Sequence, residues 1–216
     1  MGRSKFSNAD FLAAAVAIAA AHGPAAVTVA AVAERLRAPT GSFYHRFSSR
    51  SVLLGALWIQ TVLDFRRGIA EALDRGDGLG AALHTPAWVR AHPDEARLLL
   101  LHDRQDFLAG DWPEELREQA AGLEERGKIG TARFARLLFG ADGPDDVRRA
   151  QFVIAQVPVA AVRQHIARRE PPPPIVDELI RATYRAVVAD HRRARRNRTR
   201  TTGTPPAGGG HGPRPP

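Results

Sequence analysis

From Val27 to Leu57 the chain reads VTVAAVAERLRAPTGSFYHRFSSRSVLLGAL, and this stretch decides the fold. Thr28 is a residue type that opens helices, and Val29, Val32, Ala33 and Leu36 follow at the spacing of one helical face. A tight connection at Arg37-Ala38 leads to Pro39, whose fixed φ suits the first turn of a helix. A short helix from Pro39 to about Arg46 comes next. Ser48-Ser49 then offer caps for a long helix carrying Leu53, Leu57, Phe65, Ile69 and Leu73. Just upstream, Phe6-Ser7-Asn8-Ala9-Asp10-Phe11 combines a capping serine, an acid three residues on and a hydrophobic staple. The helix it starts runs to His22 and stops at Gly23-Pro24. Three short helices with a tight turn between the second and third make a helix-turn-helix.

Outward from that head the signals stay helical. Asp77 to Arg90 forms one candidate helix, and His92-Pro93-Asp94-Glu95 starts another through Leu98 to Leu101. Asp111-Trp112-Pro113-Glu114-Glu115 opens a long helix ending near Gly140. Asp142-Gly143-Pro144 precedes a helix from about Asp145 to Arg169, with a bend expected at Pro158. Pro171 to Pro174 separate it from a last helix ending near Arg192. No run shows the period of a strand, so the reading is all-α with about nine helices.

Charge divides the chain in three. Of the net +8, residues 1–50 carry +4, residues 51–190 carry −3 and residues 191–216 carry +7. Residues 193–216 are rich in Arg, then in Gly and Pro, and are expected to be a disordered basic tail. The expected division is a reading head over residues 1–50, a helical effector and dimerisation body over 51–192, and that tail. With no cysteine, disulfides, thiolate metal sites and a cysteine nucleophile are excluded. No apolar run approaches the roughly 18 residues that cross a bilayer. Phe11 to Ala21 resembles a signal-peptide core but lacks a strongly basic leader, so a cytoplasmic protein with no membrane partner is expected.

In a helix-turn-helix the third helix offers small and polar side chains to base edges, while the second presents free backbone N–H groups to a phosphate. Thr40, Gly41 and Ser42 are small enough for close approach, and Tyr44 and His45 have longer polar reach. Thr28 caps the second helix where a phosphate would sit, and Arg50 starts the fourth beside the same DNA strand. Phe43 and Phe47 should pack inward. The segment resembles the TetR family's signature, a Thr-opened helix, a turn, then Gly41-Ser42-Phe43-Tyr44 and Phe47, with a basic residue shortly after. The resemblance implies a homodimer, a palindromic operator, and repression relieved by a small molecule. Arg37 stands where the family commonly has a turn glycine and must accept a left-handed or altered turn. It is also a candidate phosphate contact. Pro39 replaces the usual capping serine, so the third helix loses that side-chain cap.

The body carries no comparable motif. Trp58, Trp88, Phe107, Trp112 and Phe134 either line a cavity for a mostly apolar effector or are ordinary core. Val157, Val162, Leu179, Ile180 and Tyr184 lie on wide apolar faces of the last two helices, read as the dimer interface. Asp103 and Asp106 are expected to be surface partners of Arg104. The histidines, including His84, His92 and His102, form no close ligand pair, so no metal and no cofactor are expected. No nucleophile motif, phosphate loop or paired carboxylate supports an enzyme. The competing reading is a helical protein that binds or sequesters a small molecule and keeps only a vestigial head. Operator binding separates the two.

Overall fold

The computed structural model describes residues 6–110 and 112–201. Among these the chain is helical and contains no strand. Its elements are α1 (Asn8–His22), α2 (Val29–Leu36), α3 (Thr40–Tyr44), α4 (Arg50–Asp74), α5 (Gly78–Ala91), α6 (Pro93–Leu101), α7 (Arg104–Leu108), α8 (Glu114–Phe139), α9 (Pro144–Gln151), α10 (Val157–Arg168) and α11 (Pro174–Thr201). The Ser7 hydroxyl accepts from the Asp10 amide and the Asp10 carboxylate accepts from the Ser7 amide, so the expected box starts α1. Phe6 stacks edge-on against Phe11 with ring centres 6.4 Å apart.

The head core centres on Phe11, which meets Phe43 and Phe47 edge-on at 6.0 and 6.3 Å. Val27, Val32, Leu53, Leu54 and Leu57 close around it, and so do Leu98 of α6 and Phe107 of α7. The apolar interior therefore does not stop at residue 50; it runs through α4 into the body. There α4 packs between α5 and α8, and α10 and α11 pack on α5.

Four differences from the sequence reading have physical causes. α7 was not anticipated: Asp103 and Asp106 form a second capping box that starts this one-turn helix, and Arg104 instead pairs with Glu124 and lies 5.2 Å over the Trp58 ring. The bend expected at Pro158 is a π-helical turn over Phe152–Gln156 that joins α9 to α10. The Val157 amide reaches back to the Phe152 carbonyl, five residues away. Such a widened turn relieves the clash and the missing amide that Pro158 imposes. The last helix does not end near Arg192 but continues to Thr201, so residues 193–201 are helical rather than disordered. Arg is a good helix former, and this extension is docked. The ring of His191 and the guanidinium of Arg195 both reach the Phe139 carbonyl at the end of α8, at 3.3 and 3.1 Å. That carbonyl sits at the negative end of a helix whose next residue, Gly140, turns left-handed at φ 73°. The remainder of the expected tail, 202–216, lies outside the described residues.

The fourth difference concerns the dimer candidates. Val162 and Ile180 are fully buried within this chain's own core, and Val157 packs at its edge. Tyr184 packs between two core clusters, its hydroxyl so close to Gly78 that no Cβ would fit there. Only Leu179 faces outward, 60% exposed. Both helices have apolar residues on two faces, and every candidate but Leu179 packs against the chain's own core.

Candidate nucleic-acid interface

α2 begins at Thr28, whose hydroxyl accepts from the Ala31 amide at 3.1 Å. It ends at Arg37, held left-handed at φ 52°, ψ 39° with its amide bonded to the Ala33 and Glu34 carbonyls. Of the left-handed or altered turn expected there, the chain takes the left-handed one, and it swings sharply into α3. Pro39 is the N-cap of α3 and provides no side-chain hydrogen bond.

α3 is pinned from below. Phe43 and Phe47 are buried under it, while Thr40, Gly41, Tyr44 and His45 are exposed and Ser42 is half-buried. Tyr44 rests edge-on against Phe43 at 5.4 Å yet stays 58% exposed, so its hydroxyl end projects into solvent. A Cβ at Gly41 would meet nothing within 4 Å, and its φ is ordinary. The fold does not require glycine there. Thr28, Arg37, Pro39 and the α3 residues are thus all on exposed parts of the turn and its flanking helices.

Arg50 is placed differently. Its Nε donates to the Val27 carbonyl at 2.5 Å and an Nη to the Pro24 carbonyl at 2.8 Å, so it ties the α1–α2 connection to α4. Sequence reading also missed Arg46, which donates to the Phe6 carbonyl and lies 5.9 Å over the Phe11 ring. Both arginines hold the three helices in register. A basic residue among apolar neighbours was the available signal, but its carbonyl partners lie more than twenty residues away.

The body contains a cavity of about 600 Å³ between α4, α8 and the π turn, lined by Leu63, Phe65, Arg66, Ile69, Arg126 and Ile154 among others. None of the five predicted aromatics lines it. Trp58 is covered by Arg104, Trp88 stacks on Phe65 and His92, and Phe107 and Phe134 are fully buried in separate clusters. Head and body meet where Arg97 of α6 donates to the Ala20 carbonyl of α1 at 3.0 Å and the Ile166 carbonyl of α10 at 2.6 Å. Arg169, left-handed at φ 60°, adds a bond to the Ala21 carbonyl.

An exposed reading helix set by a tight turn on a helical body defines a helix-turn-helix DNA-binding protein. Residues 11–57 match the family model described as bacterial regulatory proteins, tetR family. The head of the chain is therefore similar to that of the tetR family of bacterial regulatory proteins. The fold of the chain is shared with a tetR-family regulatory protein from Rhodococcus RHA1, at 21% identity and TM-score 0.63, over 86% of this chain and 98% of that one. The ketosteroid transcriptional regulator KstR2 of Mycobacterium tuberculosis is similar at 18% identity and TM-score 0.58, over 88% and 96%. So is the regulator FadR from Bacillus subtilis, solved in complex with stearoyl-CoA, at 15% identity and TM-score 0.59, over 84% and 98%. No curated protein matches the sequence.

Proposed function

We propose that this chain is a homodimeric repressor whose two heads read a palindromic operator and let go when a small, mostly apolar ligand enters the body. Residues 1–50 act as the reading head and 51–192 as the effector and dimerisation body, in the cytoplasm. The observation that carries the reading is the exposure of Thr40, Gly41, Tyr44 and His45 on a helix clamped from beneath by Phe43 and Phe47. Thr40, Ser42, Tyr44 and His45 contact bases or nearby phosphates, and Gly41 lets the backbone come close. The free amides at the start of α2, capped by Thr28, take a phosphate, and Arg37 at the turn takes another. Arg50 acts indirectly, by holding α2 against α4.

The same reading calls for dimerisation, because a palindrome needs two heads in fixed register. Ile175 and Leu179 are exposed on α11 at i, i+4 spacing, with exposed Ala182 and Ala186 continuing the face, and Phe152 is exposed on the preceding π turn. These side chains form the interface. The cavity between α4 and α8 is the effector site. At about 600 Å³ it falls within the roughly 300–1,000 Å³ usual for small-molecule pockets. The ligand weakens DNA binding only through a difference in its affinity for the two states.

Gel-shift assays at fixed salt, using a palindromic fragment from the promoter of the chain's own gene, test the reading. Thr40→Ala with Tyr44→Ala should weaken binding by roughly 1–3 kcal/mol per lost base contact, with helicity unchanged. Unaltered affinity removes both residues from the interface, and a wild-type chain that ignores every such fragment favours the sequestering alternative.

A further inference from the structure

The cavity between α4 and α8 is apolar over most of its wall, through Leu63, Ile69, Leu73 and Ile154, but two guanidinium groups also line it. Arg66 is half-buried and donates to the Leu123 carbonyl. Arg126 comes from α8 across the cavity. The carboxylates nearby are engaged elsewhere: Asp64 pairs with Arg67 at 2.7 Å, Glu124 with Arg104, and Glu125 with Lys128 at 4.0 Å. Among the described residues neither Arg66 nor Arg126 has an ion-pair partner. Burial, then the neighbouring charges of Arg126 and Arg104, pull the Arg66 guanidinium below its ordinary pKa against the smaller opposing pull of the Glu124 carboxylate. Like charges beside an apolar wall cost free energy unless an anion joins them.

Glycines of α8 leave room beside both guanidinium groups. A Cβ at Gly127 would come within 3.1 Å of an Arg66 Nη, and one at Gly122 within 3.3 Å of an Arg126 Nη. Gly130, also on the cavity wall, would meet nothing. Glycine is a poor helix former, so three within nine residues weaken α8 locally.

We propose that this cavity takes an anionic amphiphile, its carboxylate or phosphate held by Arg66 and Arg126 and its apolar body lying along Ile69, Leu73 and Ile154. This rests on the body being a ligand-binding domain, and it names the ligand's chemistry. Calorimetric titration of the full chain without DNA tests it, using decanoate, decyl phosphate, 1-decanol and decyltrimethylammonium below their micelle-forming concentrations. Both anions should bind more tightly than decanol, by about tenfold or more for charge-assisted contacts, and the ammonium should not bind. The tighter anion identifies carboxylate or phosphate as the natural head group. Arg126→Gln should weaken the anions about tenfold and leave decanol unchanged. Gly130→Phe should fill the cavity and abolish anion binding while helicity by circular dichroism is kept.

Anions that bind no tighter than decanol, that do not bind at all, or that still bind the Gly130→Phe chain overturn the proposal. A parallel gel shift keeps the two claims apart. Anion binding in the cavity with no change in operator affinity removes the inducer role and leaves this site standing. A neutral ligand that releases the operator, with the anions inert, does the reverse.

Discussion

At the scale of single residues, what a side chain is bonded to separates the positions that read from those that support. Arg50 and Arg46 have the charge expected of phosphate contacts, but their guanidinium groups are spent on carbonyls within the head. Gly41 is the opposite case, a residue the fold leaves free. Replacing it with alanine should stabilise the chain by about 0.5–1 kcal/mol, because the helix gains propensity and nothing clashes. That corresponds to roughly 1–4 °C in Tm for a chain of this size. Operator affinity should nevertheless fall. A Gly41→Ala chain that melts higher and binds DNA as well as wild type would show that the glycine serves no close approach.

Helices add constraints that no single residue shows. Ile180 and Leu179 are adjacent in sequence yet opposite in fate, one buried in the core of its own chain and the other exposed. Leu179→Asp should give folded monomers by light scattering, whereas Ile180→Asp should lower helicity and solubility, since an unpaired buried charge costs several kcal/mol. A Leu179→Asp chain that remains dimeric would move the interface off α11. The α4–α5 pair carries a pH dependence of its own. His84 lies directly over Gly68, and its Nε2 donates to the Phe65 carbonyl at 2.8 Å. Burial holds its pKa below the unfolded value of 6.5. Its contribution to stability is therefore complete above that value and is lost as pH falls from there through the folded pKa. Urea midpoints should drop between about pH 7.5 and pH 5.5, and His84→Gln should flatten part of that slope. An identical slope in the variant would exclude His84 as its source.

Across the whole molecule, head and body are joined both by apolar core and by a polar latch. Leu98 and Phe107 complete the head's interior from the body side, and Arg97 bonds the Ala20 carbonyl in the last turn of α1 and the Ile166 carbonyl near the end of α10. The latch lies where a change in the body can be felt by the head. Arg97→Ala leaves two half-buried carbonyls without their charged donor, a loss of about 1–3 kcal/mol. Amide exchange in the last turn of α1 should quicken while exchange in the core of α4 is unchanged. Exchange that quickens uniformly would make Arg97 an ordinary stabilising residue rather than a local latch.

The head was legible because its signals are local. A capping box, a Thr cap, a proline at the start of α3 and the periodicity of Phe43 and Phe47 all act within a few residues, where backbone geometry is set. By itself the sequence determined the all-helical class, the helix-turn-helix and most helix boundaries. The tertiary structure decided everything that depends on distant partners. It chose the face of α11 that meets solvent, because only packing tells which of two apolar faces the chain buries. It extended α11 past Arg192, because the Phe139 carbonyl that receives Arg195 lies 56 residues away. It also put the cavity between α4 and α8, because glycines leave space only where another helix passes.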